Sequence, residues 1–109
     1  MNGEHVKEIK ALIEILEDLQ ANVSEKDDAA MDLGSSNHPL AVKALAAKGQ
    51  DAAEDEIVLN SCGESLAEIW IRNNHFDQNL YDHLQPNAKQ GARSVIENLR
   101  PAWKALYEL

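Results

Sequence analysis

The apolar residues of this chain recur every three or four positions along most of its length. The clearest run lies near the N-terminus and consists of Val6, Ile9, Leu12, Ile13, Leu16, Leu19 and Val23. This spacing places the apolar side chains on one face of an α-helix, whereas a half-buried strand would alternate apolar and polar residues. The sequence contains no convincing alternating run. The pattern therefore predicts an all-α fold.

Capping residues and glycines predict where the next helices begin and end. Ser24, followed three residues later by Asp27, resembles a capping box and predicts a short second helix over about residues 25–32. Residues 34–37 are rich in glycine, serine and asparagine, which is typical of a loop. A third helix is expected after this loop, with Gly49 just past its end.

The second half of the chain shows two longer helical patterns with a short helix between them. Asp51 can cap the fourth helix, in which Gly63 marks either a close approach to another helix or a local break. Asp77 can cap the short helix that follows. Pro101 is expected to bend or split the last helix, because proline cannot donate a helical hydrogen bond. The prediction is one domain over residues 1–109, a bundle of four main helices with one or two short extra helices.

The core of this bundle has to form by packing alone. The 109 residues, 12.1 kDa in mass, are about the length of one domain, and the lone Cys62 cannot form an internal disulfide. Cys62 lies on a predicted apolar stripe, where a free cysteine usually behaves as a small hydrophobic residue. Trp70 and Trp103 also fall on apolar stripes, so we expect core anchors; an exposed tryptophan would instead be a candidate centre of an interface.

Motifs for catalysis and cofactor binding are absent. The sequence has no phosphate-binding loop, dinucleotide-binding glycine pattern, nucleophile elbow, HExxH, EF-hand loop or CxxC. None of His5, His38, His75 and His83 has a glutamate three residues before it, which argues against a di-iron bundle. His75 and His83 could join Asp77 as metal ligands, but their spacing fits one helix face poorly. We therefore predict a protein that is not an enzyme and has neither metal nor cofactor.

The sequence also bears on where the protein acts. No segment approaches the ~18 uncharged apolar residues that a membrane span needs. The N-terminal residues include acid where an export signal would carry base, and they lack an apolar core. We expect a cytoplasmic protein that does not insert into a membrane.

Charge is the most informative functional feature. The chain has 19 acidic and 10 basic residues, a net charge of −9. Residues 1–68 hold 15 acidic and 5 basic residues, whereas residues 69–109 hold 4 acidic and 5 basic residues. Binding to a nucleic acid needs a basic stripe along the phosphate backbone, and no such stripe is present. The charge argues against direct nucleic-acid binding and favours a basic partner.

Two groups of acidic residues are the candidate partner-binding surface. One lies in the predicted second helix and the other at the start of the fourth: Glu25, Asp27, Asp28 and Asp32, and Asp51, Glu54, Asp55 and Glu56. Acidic residues in a first turn favour the helix dipole, but this many in so few positions also repel one another. Immunity proteins, antitoxins and inhibitors that mimic DNA show a similar acidic excess, which speeds association with a basic protein.

The leading hypothesis is a non-enzymatic, acidic module that docks on a basic partner protein. The first alternative is a helical assembly subunit, such as a homodimer, that uses an apolar seam around Trp70 or Trp103. The second alternative is a small bundle that binds a ligand or a metal. The effect of salt distinguishes the leading hypothesis from the first alternative, because charge-based binding weakens as ionic strength rises, whereas association through an apolar seam persists.

Overall fold

The computed structural model describes residues 3–109, with side chains from His5 onward. These residues form seven helices and no strand: α1 (Gly3–Glu17), α2 (Val23–Leu33), α3 (Pro39–Gly49), α4 (Glu56–Arg72), α5 (Gln78–His83), α6 (Pro86–Leu99) and α7 (Ala102–Leu106). The prediction of an all-α bundle with about four main helices and short extra ones is confirmed. None of the described helices combines the length and apolar character that crossing a lipid bilayer requires.

The first apolar run is divided between two helices. α1 ends at Glu17, Leu19 lies in the following turn with 89% of its surface exposed, and Val23 begins α2. Asp18 promotes the break, because its side chain accepts a hydrogen bond from the Gln20 backbone at 2.8 Å and favours a turn. The expectation of one continuous stripe through Val23 was wrong for this reason.

The cap of α2 also differs from the sequence prediction. Asn22 Oδ1 accepts a hydrogen bond from the Glu25 N–H at 2.8 Å, and Glu25 Oε1 accepts one from the Asn22 N–H at 3.2 Å. This reciprocal pair is a capping box. The pair Ser24 and Asp27 was the wrong choice, since both residues lie inside the helix.

The start of α4 is shifted in the same way. Asp55 caps the helix by accepting a hydrogen bond from the Ile57 N–H at 2.8 Å. Asp51 does not cap it, and instead accepts a hydrogen bond from the Ala53 N–H at 2.9 Å in a turn before the helix. The sequence offered several acidic residues with similar capping ability, and only the backbone path selects among them.

Helices α4 and α6 pack at unusually short range. Gly63 of α4 lies against the backbone of Ala88, and Gly91 of α6 lies against the backbone of Asn60. A side chain at either glycine would overlap those backbone atoms, so Gly63 marks a close approach rather than a break. The C-terminal ends of α4 and α6 also meet, because Arg100 Nη1 donates to Asn74 Oδ1 at 2.9 Å.

Helix α2 lies beside α4 and runs in the same direction. Asp27 of α2 meets Ser61 of α4, and the Ala30 carbonyl accepts a hydrogen bond from Ser65 Oγ at 2.7 Å. Beyond the end of α2, the Gly34 carbonyl accepts a hydrogen bond from Arg72 at 3.0 Å. Helices α2 and α6 therefore both pack against α4.

An aromatic cluster closes the C-terminal end of the core. Phe76 lies within 6 Å, ring centre to ring centre, of all four other members, Trp70, Tyr81, Trp103 and Tyr107. Trp70 and Trp103 are 4% and 5% exposed, which confirms the expectation that both are core anchors. The helix splits at Pro101 as expected, and the split lets α7 carry Trp103 into the cluster.

Candidate functional site

A groove with α4 as its floor brings together acidic, amide and apolar side chains. Helix α2 forms one wall and α6 the other, and the groove encloses about 520 Å³. We call it the acidic groove, and its lining residues are Asp27, Met31, Glu56, Ile57, Asn60, Ser61, Glu64, Asn87 and Gln90. The helical spacing explains the floor, because Glu56, Asn60 and Glu64 follow one another at intervals of four residues.

Three carboxylates line the acidic groove, those of Asp27, Glu56 and Glu64. Asp27 is half-buried and accepts a hydrogen bond from the Ser61 hydroxyl, which fixes its position. No lysine or arginine in the described part of the chain forms an ion pair with Asp27, Glu56 or Glu64. Partial burial raises the pKa of the Glu64 carboxyl, and the negative charges of Glu68 and Asp27 raise it further. A cation placed in the groove would relieve this repulsion.

Two large apolar side chains are exposed in the same groove. Met31 and Ile57 are 55% and 56% exposed, although most large apolar residues of α2 and α4 are buried. Met31 follows Asp27 by one helical turn, and Ile57 lies one turn before Ser61. The groove therefore combines exposed apolar contact area with negative charge, and protein-binding surfaces likewise combine apolar and polar areas.

The eight sequence-predicted site residues do not share one surface. Asp27 and Glu56 line the acidic groove. Asp28 is exposed on α2, and Asp32 lies beside a different cleft, near the end of α2. The other four serve the fold, and they are Glu25, Asp51, Glu54 and Asp55.

Glu54 departs furthest from the sequence expectation. Its side chain is only 6% exposed and lies between two ammonium groups, 3.0 Å from Lys26 Nζ and 3.0 Å from Lys48 Nζ. Burial by itself raises the pKa of Glu54, but the Asp55 backbone N–H and the two lysines outweigh it and hold the pKa below its usual value. Glu54 is thus a structural bridge whose carboxylate is already paired with two lysines.

Sequence reasoning missed Glu64 and the amide residues of the acidic groove. Glu64 lies outside both acidic runs along the chain and reaches the groove only because it follows Glu56 by two helical turns. That spacing was a usable signal. Asn87 and Gln90 come from α6, more than twenty residues further on, and only the packing of α6 on α4 brings them to this site.

The other candidate residues have structural surroundings. Cys62 is fully buried, and burial raises the pKa of its thiol to about 12, so the thiol stays protonated near neutral pH. Asp77 caps α5 by accepting from the Leu80 N–H at 3.0 Å. The His83 ring lies 2.7 Å from the Asn79 carbonyl, and His75 is exposed. Because Trp70 and Trp103 are buried, neither is available as the centre of an apolar seam.

Comparison with known proteins does not assign the chain to a family. No family model, curated protein or solved structure matches it.

Proposed function

We propose that this protein is a non-enzymatic binding module that docks its acidic groove on a basic partner protein. The role is that of an immunity protein, antitoxin or inhibitor, which neutralises a positively charged surface. The observation that carries the proposal is that Met31 and Ile57 are exposed in the same groove as three carboxylates with no ion-pair partner in the described chain.

The dimensions of the groove suit a small structural element of a partner. The floor from Glu56 to Glu64 is about 12 Å long at the helical rise per residue, or about two turns of a partner helix. Apolar side chains of the partner would cover Met31 and Ile57, and its lysine or arginine side chains would reach the carboxylates. Burial of the apolar contacts supplies affinity, and the negative charge steers the encounter.

The fixed position of Asp27 supports this arrangement. Its hydrogen bond with the Ser61 hydroxyl orients the carboxylate before a partner arrives. A carboxylate that is already oriented loses less conformational freedom on binding an arginine or lysine. Asn60, Asn87 and Gln90 add amide groups that can hydrogen-bond the partner backbone.

The test begins with capture of the partner from the native host by the tagged full-length chain, followed by mass spectrometry. The captured protein, once purified, is titrated against the double variant Glu56→Lys/Glu64→Lys by calorimetry. We expect a basic partner whose affinity falls at least tenfold in this variant and weakens with rising salt.

A matched control separates the groove from overall charge. The double variant Glu14→Lys/Glu17→Lys changes two exposed residues of α1 and has the same net charge as the groove variant. We expect it to bind the partner nearly as well as the wild type. Equal losses in the two double variants would assign the attraction to net charge, and no loss in either would refute a role for the groove.

A further inference from the structure

The structure contains a second concave surface, which the proposed function does not use. A cleft of about 540 Å³ lies between α1 and the loop that joins α2 to α3. We call it the N-terminal cleft, and its lining residues are His5, Glu8, Ile9, Leu12, Asp32, Leu33, Ser35, Ser36 and Asn37. Its volume falls in the range of small-molecule sites, roughly 300–1,000 Å³.

The floor of the N-terminal cleft is apolar and belongs to the core. Leu33 is fully buried, Ile9 is 6% exposed, and Leu12 packs against the same core cluster. These side chains are held by the packing of α1 on α2. Leu12 is half-buried and supplies apolar surface to the cleft, and Ile9 and Leu33 support that surface from the core.

One wall of the cleft is a loop that Arg72, which does not line the cleft, holds by hydrogen bonds. Arg72 Nε donates to Asn37 Oδ1 at 3.0 Å, and Arg72 Nη2 donates to the carbonyls of Gly34 at 3.0 Å and Ser36 at 3.2 Å. Gly34 also lies so close to Ser65 that a side chain would not fit there. The wall is therefore formed in advance, which lowers the entropic cost of binding a ligand.

The rim of the cleft carries two carboxylates, those of Glu8 and Asp32. Glu8 and Asp32 are exposed, come from different helices, and form no ion pair with any lysine or arginine that the structure describes. Ser35 and Ser36 also line the cleft, and the Ser36 hydroxyl accepts a hydrogen bond from the His38 N–H at 3.0 Å. The carboxylates would repel an anion, and a neutral apolar molecule would form no ion pair with them.

We propose that the N-terminal cleft binds a small organic cation, an ammonium group attached to an apolar body. The apolar body lies on Leu12, which Ile9 and Leu33 support from the core, and the ammonium group is held by Glu8 and Asp32. A bare metal ion fits less well, because the described residues bring no three His, Cys, Asp or Glu side chains together in a metal-binding arrangement. This site is separate from the acidic groove and does not depend on the proposed function.

The test uses 2-phenylethylamine, which is a cation at neutral pH, and its neutral analogue 2-phenylethanol as probes. Each is titrated into the ¹⁵N-labelled full-length chain, and backbone amide shifts are followed by NMR. We expect the amine to shift residues around the cleft, including Leu12, Leu33 and Ser35, and to bind about tenfold more tightly than the alcohol.

Conservative variants test whether the carboxylates of Glu8 and Asp32 bind the ammonium group of the amine. Glu8→Gln and Asp32→Asn should each weaken amine binding several-fold and leave alcohol binding unchanged. The matched control Glu14→Gln/Asp28→Asn removes two exposed charges that do not line the cleft and should leave amine binding unchanged. Equal binding of both probes, shifts scattered over the whole surface, or an equal loss in the control would each overturn the proposal.

Discussion

At the scale of single residues, Asn22 shows how one side chain sets the start of a helix. It lies between the exposed turn after α1 and the first residue of α2, and it exchanges two hydrogen bonds with Glu25. These bonds satisfy two backbone N–H groups at the start of α2 that have no helical partner. Ser24, only two residues further on, lies inside the first turn and is exposed.

Alanine variants of Asn22 and Ser24 test which of the two residues caps α2. Asn22→Ala removes the cap and is expected to lower the free energy of unfolding by about 1 kcal/mol. Ser24→Ala should leave stability unchanged or slightly increase it, because alanine is the better helix former. Urea unfolding followed by circular dichroism measures both. A larger loss in Ser24→Ala than in Asn22→Ala would contradict this assignment of the cap.

At the scale of elements, the contact between α4 and α6 depends on the absence of side chains. Gly63 and Gly91 each lie against backbone atoms of the other helix, which cannot move aside as a flexible side chain can. The close contact places α6 as one wall of the acidic groove and brings Asn87 and Gln90 beside α4. A glycine in mid-helix costs about 1 kcal/mol relative to alanine, so this packing must offset that cost.

A pair of glycine substitutions tests this contact. Gly63→Ala is expected to destabilise the protein by about 3 kcal/mol, because the added methyl group would overlap the Ala88 carbonyl. The control is Gly49→Ala at the end of α3, whose added methyl group would meet the tip of the Leu84 side chain at 2.9 Å. That tip can rotate away, so the loss should be much smaller. Thermal unfolding measures the stability of both variants. An equal loss of stability in Gly63→Ala and Gly49→Ala would show that α4 and α6 can move apart at little cost.

At the scale of the whole molecule, a bridge of charges joins segments that are far apart in the chain. Glu54 precedes α4, and its two partners Lys26 and Lys48 belong to α2 and α3. All three side chains are at most 14% exposed, so each charge depends on the others to offset its loss of water. The network holds three segments together in a protein whose net charge of −9 favours expansion.

The pH dependence of stability tests this bridge. Glu54→Gln leaves two lysines without their shared partner and is expected to cost about 2 kcal/mol at neutral pH. Because the pKa of Glu54 is lowered in the folded state, its stabilisation is present above the usual glutamate pKa and is lost as the pH falls through the lowered value. The difference between wild type and Glu54→Gln should therefore shrink as the pH drops below 4.5.

A surface ion pair provides the control for this measurement. Glu97→Gln removes the exposed pair with Lys104, which spans 2.6 Å, and should change stability much less than Glu54→Gln at neutral pH. Urea unfolding at several pH values gives both comparisons. A wild-type advantage over Glu54→Gln that grows toward acid pH would show that the carboxylate of Glu54 is not the stabilising form.

Local sequence determined the fold class and most of the helices of this protein. Apolar spacing and strong breakers act over one or two helical turns, so the all-α fold, the loop before α3, the cap at Asp77 and the split at Pro101 could be predicted from neighbouring residues alone. The exact caps of α2 and α4 could not, because several nearby polar residues compete and the backbone path decides between them.

Only the tertiary structure decided which acidic residues of the described chain form ion pairs and which line the acidic groove. In sequence, Glu54 resembles the acidic residues beside it. In the structure, its side chain is buried and forms an ion pair with Lys26, 28 residues earlier in the chain. Glu64 looks isolated in sequence, but the packing of α2 and α6 on α4 places it beside Asp27 and Glu56. Ion pairing and burial depend on distances through space, which helical periodicity along the chain does not contain.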